Sequence, residues 1–282
     1  MLSTAKPDSP ESGFLFSRKS SPPFPFNALT AILPSTMQAL APAPAPRLAH
    51  AAGPELPPIS FFGRSLTEYA QFFALDLAAL KGRDVLDVAA GPSSFTAEAC
   101  ARKLDAVAVD PFYGAPADDL AARIERDYAH MFAQLRARPR RLSRKTYPTI
   151  DVAEFDRRSA AQRFLTDYVT HYSHNRYVGA SLPRLPFFDG TFDLVLCAHL
   201  LFSHAQRFDF DWHLAACREL VRVSAGEVRI HPLCGLDGRP YAGLPRLRRE
   251  LRAEGIASEV VPLDYEFLVG ANAMLVMRRA AP

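Results

Sequence analysis

The feature that most constrains the fold is a pair of short apolar runs in the middle of the chain, joined by one helical pattern. The runs are DVLDVA at residues 84–89 and DAVAVD at residues 105–110, and residues 94–103 have helical spacing. Short runs rich in valine are typical of buried strands. Two such strands joined by one helix form a β-α-β unit, which implies a parallel sheet. The pattern therefore predicts an α/β protein.

The alternation of strands and helices resumes in the second half of the chain. Further strands are predicted at residues 176–182, 192–199, 227–233, 258–263 and 272–279, and further helices at 210–223 and 244–254. The last two strands leave no room for a helix between them, so we expect them to pair as an antiparallel hairpin. The predicted fold class is α/β, with a seven-stranded doubly wound Rossmann-like sheet and a terminal antiparallel hairpin.

Helical patterns also flank the first β-α-β unit. Before it, SLTE at residues 65–68 has the form of a capping box, and apolar spacing continues the helix towards Gly82. After it, residues 111–175 hold two amphipathic patterns in a segment far longer than the usual connection of an α/β unit. We expect this helical insertion to cover a pocket.

The start of the chain has a different composition. The first sixty residues contain half of the 24 prolines, and proline lacks the amide donor that regular structure needs. We predict a disordered Pro-rich leader at 1–58, followed by one domain at 59–282. A Ser-rich, acid-poor start is also typical of organellar transit peptides, and translation from Met37 is a further alternative. A cytoplasmic location is favoured, with an organelle as the alternative.

Charge and cysteine content exclude several classes of function. The net charge of +3 is too small to predict nucleic-acid binding, and no apolar run is long enough to span a membrane. The four cysteines share no close spacing, so no metal site is predicted. One acid-free basic stretch, residues 136–145, is either a solvated surface or a contact for an anionic partner or substrate.

The turn after the first predicted strand is the natural place for a ligand. In doubly wound sheets, ligands bind at the carboxyl ends of the strands, and small residues let a ligand approach the backbone. That turn is Ala89-Ala90-Gly91-Pro92-Ser93-Ser94. It matches the dinucleotide fingerprint G-x-G-x-x-G poorly, and no P-loop G-K-[ST] is present.

Three segments together resemble the class I S-adenosylmethionine-dependent methyltransferases, over roughly residues 61–279. The first motif of that family, D-x-G-x-G-x-G, stands here at residues 87–93 with only Gly91 of its three glycines. Small residues replace the outer two, and we expect negative φ at Ala89 and Ser93. The second motif is an acid that ends the second strand, here Asp110. The third is LPFFDGTFDLVLCAH at residues 185–199, which leads into the fourth strand.

The resemblance implies S-adenosylmethionine as cofactor and assigns contacts to it. The implied cofactor-binding residues are Asp87, Ala89, Ala90, Gly91, Pro92, Asp110, Pro111, Phe112, Ser181, Leu182, Cys197 and Ala198. Within this set Asp110 is expected to accept both ribose hydroxyls, and Asp87 to orient the turn by accepting backbone amides. Tyr69 is expected either over the cofactor or in the core.

Two histidines after the fourth strand are the candidate catalytic residues. An imidazole titrates near neutral pH, so His199 or His204 can act as a base, while the alternative for His204 is a packing role in the loop. The predicted function is methyl transfer to an unidentified small-molecule acceptor. The alternatives are a non-catalytic S-adenosylmethionine-binding protein of the same fold and an NAD(P)-dependent oxidoreductase. Neither a nucleic-acid nor a membrane partner is predicted, and the sequence does not indicate an oligomeric state.

Overall fold

The computed structural model describes residues 59–280. The predicted leader at 1–58 lies outside the described residues. Seven strands are described: β1 Asp84–Val88, β2 Asp105–Asp110, β3 Tyr177–Gly179, β4 Phe192–Ala198, β5 Ser224–His231, β6 Ile256–Pro262 and β7 Ala273–Arg279. The α-helices of the same part of the chain are α1 Leu66–Phe72, α2 Phe95–Ala101, α3 Ala117–Ala137, α4 Ile150–His171, α5 Phe210–Val223 and α6 Leu244–Ala253.

All seven strands form one sheet in the order β3-β2-β1-β4-β5-β7-β6. The strands β1 to β5 pair in parallel, whereas β7 lies antiparallel between β5 and β6. The order reverses between β1 and β4, so β1 is flanked by β2 on one side and by β4 on the other. The predicted doubly wound sheet with its terminal antiparallel hairpin is therefore confirmed.

The central strands are buried on both faces, as their continuous apolar runs require. Successive side chains of a strand point to opposite faces. In β1, Val85 belongs to the core on one face and Leu86 to the core on the other; in β4, Leu196 and Cys197 are divided in the same way. The first core also contains α1 to α4, and the second contains α5 and α6.

The insertion consists of α3 and α4, which lie on the face that also carries α1 and α2. The buried side chains of α3 recur every three or four residues from Leu120 to Leu135, which gives one apolar stripe towards the core. These two helices of 21 and 22 residues pack against each other, and α4 also contacts α2. The predicted helical insertion after the second strand is confirmed.

Two predicted elements are shorter than expected. The α1 helix ends at Phe72 and not near Gly82, because Ala74 adopts the left-handed conformation, with φ of 49°, and stops the helix. The capping box at its start is present, with Ser65 and Glu68 each accepting a backbone N–H from the other. The third strand spans three residues and not seven, because the chain turns back where Arg184 N–H donates to Ser181 O at 3.1 Å.

Candidate functional site

The turn after β1 contains two left-handed residues, of which one is a glycine. Gly91 has φ of 56° and Ala89 has φ of 58°. The expected negative φ at Ala89 is therefore wrong. A left-handed L-residue brings Cβ too close to the following carbonyl, at a cost of roughly 1–2 kcal/mol. The turn keeps the shape that the missing glycine would give, with strain at Ala89.

Asp110 closes this turn from the end of β2. Its Oδ2 accepts the Gly91 N–H at 3.0 Å, and its Oδ1 accepts the Phe112 N–H at 3.0 Å. A carboxylate offers about four lone-pair positions, so each oxygen retains one for another donor. Burial raises the pKa of Asp110 to about 6, although the two backbone bonds act in the opposite direction. At neutral pH this side chain is an ionised acceptor.

Asp87 makes a different contact from the one expected. Its Oδ1 accepts a hydrogen bond from the Tyr69 hydroxyl at 3.1 Å, and no described backbone amide donates to it. The expected role for Asp87, accepting the amides of the turn, is therefore wrong. Tyr69 is fully buried and stacks on Phe95 with 4.5 Å between ring centres, so it is a core aromatic whose hydroxyl reaches the site. Burial raises the pKa of Asp87 well above its ordinary value.

His199 lies just past β4, beside a histidine that the sequence reasoning missed. Its ring centre is 5.0 Å from that of His231, the last residue of β5. His231 Nε2 is 3.2 Å from the carbonyl oxygen of Ala271, which makes Nε2 the donor. Burial lowers the pKa of His199 well below its ordinary value and that of His231 to about 3. Both imidazoles are therefore neutral at pH 7.

Arg64 brings a buried positive charge to the same place. Its backbone N–H donates to Ser93 Oγ at 3.1 Å, and its Nη1 donates to Phe62 O at 3.0 Å. Its charge lowers the pKa of His199, His231 and Asp87. The sequence signals for Arg64 and His231 are weak, because Arg64 only precedes the predicted capping box and His231 is one residue within the predicted strand 227–233.

Four buried polar atoms of these residues share one property: none has a hydrogen-bond partner among the described residues. They are Arg64 Nε, Asp87 Oδ2, His199 Nε2 and His231 Nδ1, and we call them the polar cluster. Most buried polar atoms in proteins are hydrogen-bonded, so unpaired ones indicate a place for a ligand or water. The cluster joins the carboxyl ends of β1, β4 and β5 to the segment that precedes α1.

Residues 61–64, which we call the strap, cover the turn. The N–H of Phe61 donates to Asp127 Oδ2 at 2.7 Å, and the N–H of Gly63 donates to the Tyr128 hydroxyl at 3.0 Å. A Cβ atom at Gly63 would lie 2.0 Å from the carbonyl oxygen of Pro92, so only glycine allows this approach. The strap is held between the turn and α3, and residues 90–97 are buried.

The remaining predicted residues lie around the ends of β2, β3 and β4. Cys197 and Ala198 are the last two residues of β4 and are buried, and Leu182 is buried after β3. Ser181 is exposed. Pro111 is exposed and Phe112 is half-buried, with the Arg123 guanidinium 3.7 Å from its ring centre.

His204 lines a cavity and interacts electrostatically with His199 and Arg64 of the polar cluster. This cavity of about 560 Å³ lies between the last turns of α3 and the loops after β4 and β5. Burial and the neighbouring charge of Arg207 lower the pKa of His204 to about 4. Of the two candidate histidines, His199 thus belongs to the polar cluster and His204 to the lining of this cavity.

Two further classes of feature are missing from the described part of the chain. Between residues 59 and 280, no helix combines the length and the apolar character needed to cross a membrane. Over the same residues, no group of three or more His, Cys, Asp or Glu side chains is arranged to hold a metal ion.

Comparison with known proteins gives one relative in sequence and several in structure. No family model matches the chain. An uncharacterised protein of Methanocaldococcus jannaschii, MJ0045, is 28% identical over 218 residues, which cover 77% of this chain and 95% of that protein. Magnesium protoporphyrin IX methyltransferase from Synechocystis PCC 6803, solved with bound SAM, is 12% identical with a TM-score of 0.42, over 72% of this chain and 74% of that one.

Two further solved structures have similar scores. A TehB-like SAM-dependent methyltransferase from Corynebacterium glutamicum is 14% identical with a TM-score of 0.42, over 75% of this chain and 88% of that one. The CcbJ methyltransferase from Streptomyces caelestis is 12% identical with a TM-score of 0.44, over 76% and 90%. The strands of this chain lie in the order 3-2-1-4-5-7-6, with an antiparallel seventh strand. This Rossmann-like sheet is consistent with the class I S-adenosylmethionine-dependent methyltransferases that the sequence resembles.

Proposed function

We propose that the protein is an S-adenosylmethionine-dependent methyltransferase that acts on a small molecule. The observation that carries the proposal is the position of Asp110 at the end of β2, bonded to Gly91 in the turn after β1. This pair brings a buried carboxylate with free lone pairs against a turn of small residues, at the edge of the sheet where ligands of this fold bind.

The residues present fit such a cofactor. Asp110 has acceptor positions left for the two ribose hydroxyls, and Asp87 Oδ2 is a buried, unpaired acceptor for a cationic amine. Pro111 and Phe112 follow Asp110 and would flank the adenine, and Ala198 ends β4, the strand on the other side of β1. When bound, S-adenosylmethionine supplies an electrophilic methyl group, so the protein has only to bind, orient and exclude water.

His199 contributes a neutral imidazole to this site. The burial of the ring and the charge of Arg64 oppose a positive charge on it, so in the tautomer that carries its proton on Nδ1 the unpaired Nε2 would accept a hydrogen bond from a hydroxyl or amine. Because a protonated His199 ring is disfavoured, Nε2 can act as a base only if it passes the proton on at once. The strap excludes water from the turn while these contacts are made.

The strap also favours a second candidate of the same fold. The turn is buried beneath residues 61–64, an arrangement that suits a non-catalytic S-adenosylmethionine-binding protein as well as an enzyme. The two candidates differ in turnover. An enzyme converts S-adenosylmethionine to S-adenosylhomocysteine when a small-molecule extract is added, whereas the non-catalytic protein binds the cofactor and leaves it intact.

Isothermal titration with S-adenosylmethionine and S-adenosylhomocysteine tests the binding itself. We expect both to bind, and Asp110→Ala to weaken binding by about 2–3 kcal/mol, because a charge-assisted acceptor is lost. Asp105→Ala is the matched control, since this acid begins the same strand and is exposed. Failure of the wild-type protein to bind either compound would exclude both candidates.

A further inference from the structure

The cavity beside His204 is built from three parts of the chain that meet at the carboxyl edge of the sheet. Residues 202–207 follow β4, residues 235–242 follow β5, and the third wall is the last two turns of α3 with Arg141. Its volume of about 560 Å³ lies within the range of small-molecule sites. The cavity therefore lies at the same carboxyl edge of the sheet as Asp110 and the polar cluster. The insertion forms one of its walls through α3.

The charged lining of the cavity is mostly positive. It contains the four arginines Arg138, Arg141, Arg207 and Arg239 and one acid, Asp237. Asp237 is engaged in its own turn, where it accepts the Arg239 N–H at 3.0 Å and lies 3.8 Å from Arg239 Nε. The one acid of the lining therefore offsets Arg239.

Two of the arginines have no such compensation. Among the described residues, the guanidinium groups of Arg138 and Arg141 form neither an ion pair nor a hydrogen bond. Arg136, in the same basic stretch, does the opposite: it binds Asp151 at 2.8 Å and Glu154 at 2.7 Å. The stretch at residues 136–145 thus divides into a part that ties the insertion together and a part that presents unpaired charge to the cavity.

The rest of the lining combines apolar side chains with the polar ones of Gln134, Ser203, His204 and Gln206. Phe202 and Tyr241 stack with 5.1 Å between ring centres, and Leu135 of α3 is buried in the opposite wall. A pair of guanidinium forks suits a carboxylate or a phosphate, and the aromatic wall suits a flat apolar body. The complementary ligand is a small molecule with an anionic group at one end and an apolar part at the other.

We propose that this cavity binds the methyl acceptor, and that the acceptor is a small amphipathic anion whose carboxylate or phosphate is held by Arg138 and Arg141. That the ligand is the methyl acceptor rests on the methyltransferase function proposed above. The anion site itself is argued from the residues that line the cavity.

Isothermal titration with three probes of one shape tests the site: 4-biphenylcarboxylate, 4-biphenylyl phosphate and the uncharged 4-biphenylcarboxamide. We expect the wild-type protein to bind one or both anions at least tenfold more tightly than the amide, and the preferred anion identifies the acceptor as an acid or a phosphate. Arg138→Gln/Arg141→Gln should weaken anion binding at least tenfold and leave amide binding unchanged.

The matched control is Arg140→Gln/Arg144→Gln, which removes the same charge from two exposed neighbours outside the cavity. Anion binding should be unchanged in this control. If the glutamine variant of the cavity fails to fold, Arg138→Lys/Arg141→Lys keeps the charge and should still weaken binding, because lysine cannot form the fork.

Three results would overturn the proposal: equal binding of anions and amide by the wild-type protein, equal losses in the cavity and control variants, or unchanged binding in the cavity variant. Titration of the same proteins with S-adenosylhomocysteine tests the methyltransferase proposal separately, because that proposal requires cofactor binding whether or not the cavity binds anions. Anion binding without cofactor binding would leave an anion site in a protein with another activity.

Discussion

Ala89 adopts a backbone conformation that its side chain disfavours. Its left-handed φ of 58° is one that L-residues avoid and glycine adopts freely. The turn nevertheless has to fold this way, because Gly91 N–H must reach Asp110 on the next strand. The surrounding contacts impose the conformation on the alanine.

Ala89→Gly should therefore stabilise the protein. Relief of the left-handed strain outweighs the extra freedom of glycine in the unfolded chain, and we expect a gain of about 0.5–1 kcal/mol in the free energy of unfolding. Urea denaturation followed by circular dichroism measures it. Ala90→Gly is the control: Ala90 is buried at a negative φ, so this change should destabilise. Equal losses in both variants would show that Ala89 is unstrained.

The proposed cofactor binding should depend on pH through Asp110, with a sign that follows from its pKa. Burial raises its pKa to about 6, so the carboxylate is ionised at pH 7 and becomes protonated below pH 6. A protonated carboxyl loses acceptor capacity, so affinity for S-adenosylhomocysteine should fall about tenfold between pH 7 and pH 5, one unit below this pKa. Titration calorimetry across this range tests the prediction, with Asp110→Asn as the control that should show weak, pH-independent binding. An unchanged wild-type affinity at pH 5 would contradict it.

At the scale of elements, α1 and α4 are joined by a buried ion pair. Arg157 of α4 is fully buried and pairs with Glu68, the residue that also completes the capping box of α1. Tyr265, from the loop between β6 and β7, donates to the same carboxylate at 2.5 Å. Three distant segments thus meet at one carboxylate, and the insertion is anchored to the element that follows the strap.

Arg157→Met should be severely destabilising. It leaves Glu68 buried without its counter-ion, which costs about 3–5 kcal/mol, and adding Glu68→Gln should recover part of the loss. Thermal unfolding compares these variants with Arg158→Met, the next residue of the same helix. Arg158 is partly exposed and pairs with Glu125 and Glu154, so its loss should cost at most about 1 kcal/mol. Similar melting temperatures for the two single variants would refute the anchoring role.

The strap depends on close contact between two backbones. Gly63→Ala places a methyl group against the carbonyl of Pro92, and we expect a loss of about 1–3 kcal/mol from this overlap. Gly82→Ala is an informative comparison, because Gly82 has φ of 72° but open space around its Cβ position. It tests backbone strain alone and should cost less. A harmless Gly63→Ala, measured by urea denaturation, would mean that the strap can lift from the turn at little cost.

At the scale of the whole molecule, the site is assembled from segments that lie far apart in the chain. Residues 61–64, β1, β2 and β4 all contribute, so a bound cofactor should stabilise the entire fold. At a concentration of one hundred times Kd, S-adenosylhomocysteine should add about 2.7 kcal/mol, which raises Tm by roughly 5–10 °C. A thermal shift assay measures this, with NAD as the control. A shift with NAD alone would favour the oxidoreductase alternative.

The sequence predicted the sheet and its terminal hairpin well, because the periodicity of strands and helices reports directly on which faces are buried. It also located Asp110 at the end of β2 and Gly91 in the turn after β1, while their contacts to a cofactor stay a prediction. It could not predict Arg64 or His231 as neighbours of His199, because those contacts depend on tertiary packing across 135 and 32 residues of chain. Likewise, Asp87 bonds to Tyr69 because α1 brings that hydroxyl to the turn, which no local pattern reveals.

The place of β7 inside the sheet has a consequence for synthesis. β7 comes later in the chain than β5 and β6, yet it lies between them and pairs with both. While the chain emerges from the ribosome, β5 and β6 each expose an unpaired edge until residues 273–279 arrive, and such edges readily bind other chains. A product that stops at residue 272 would keep both edges open and would aggregate, whereas the addition of seven residues closes two edges at once.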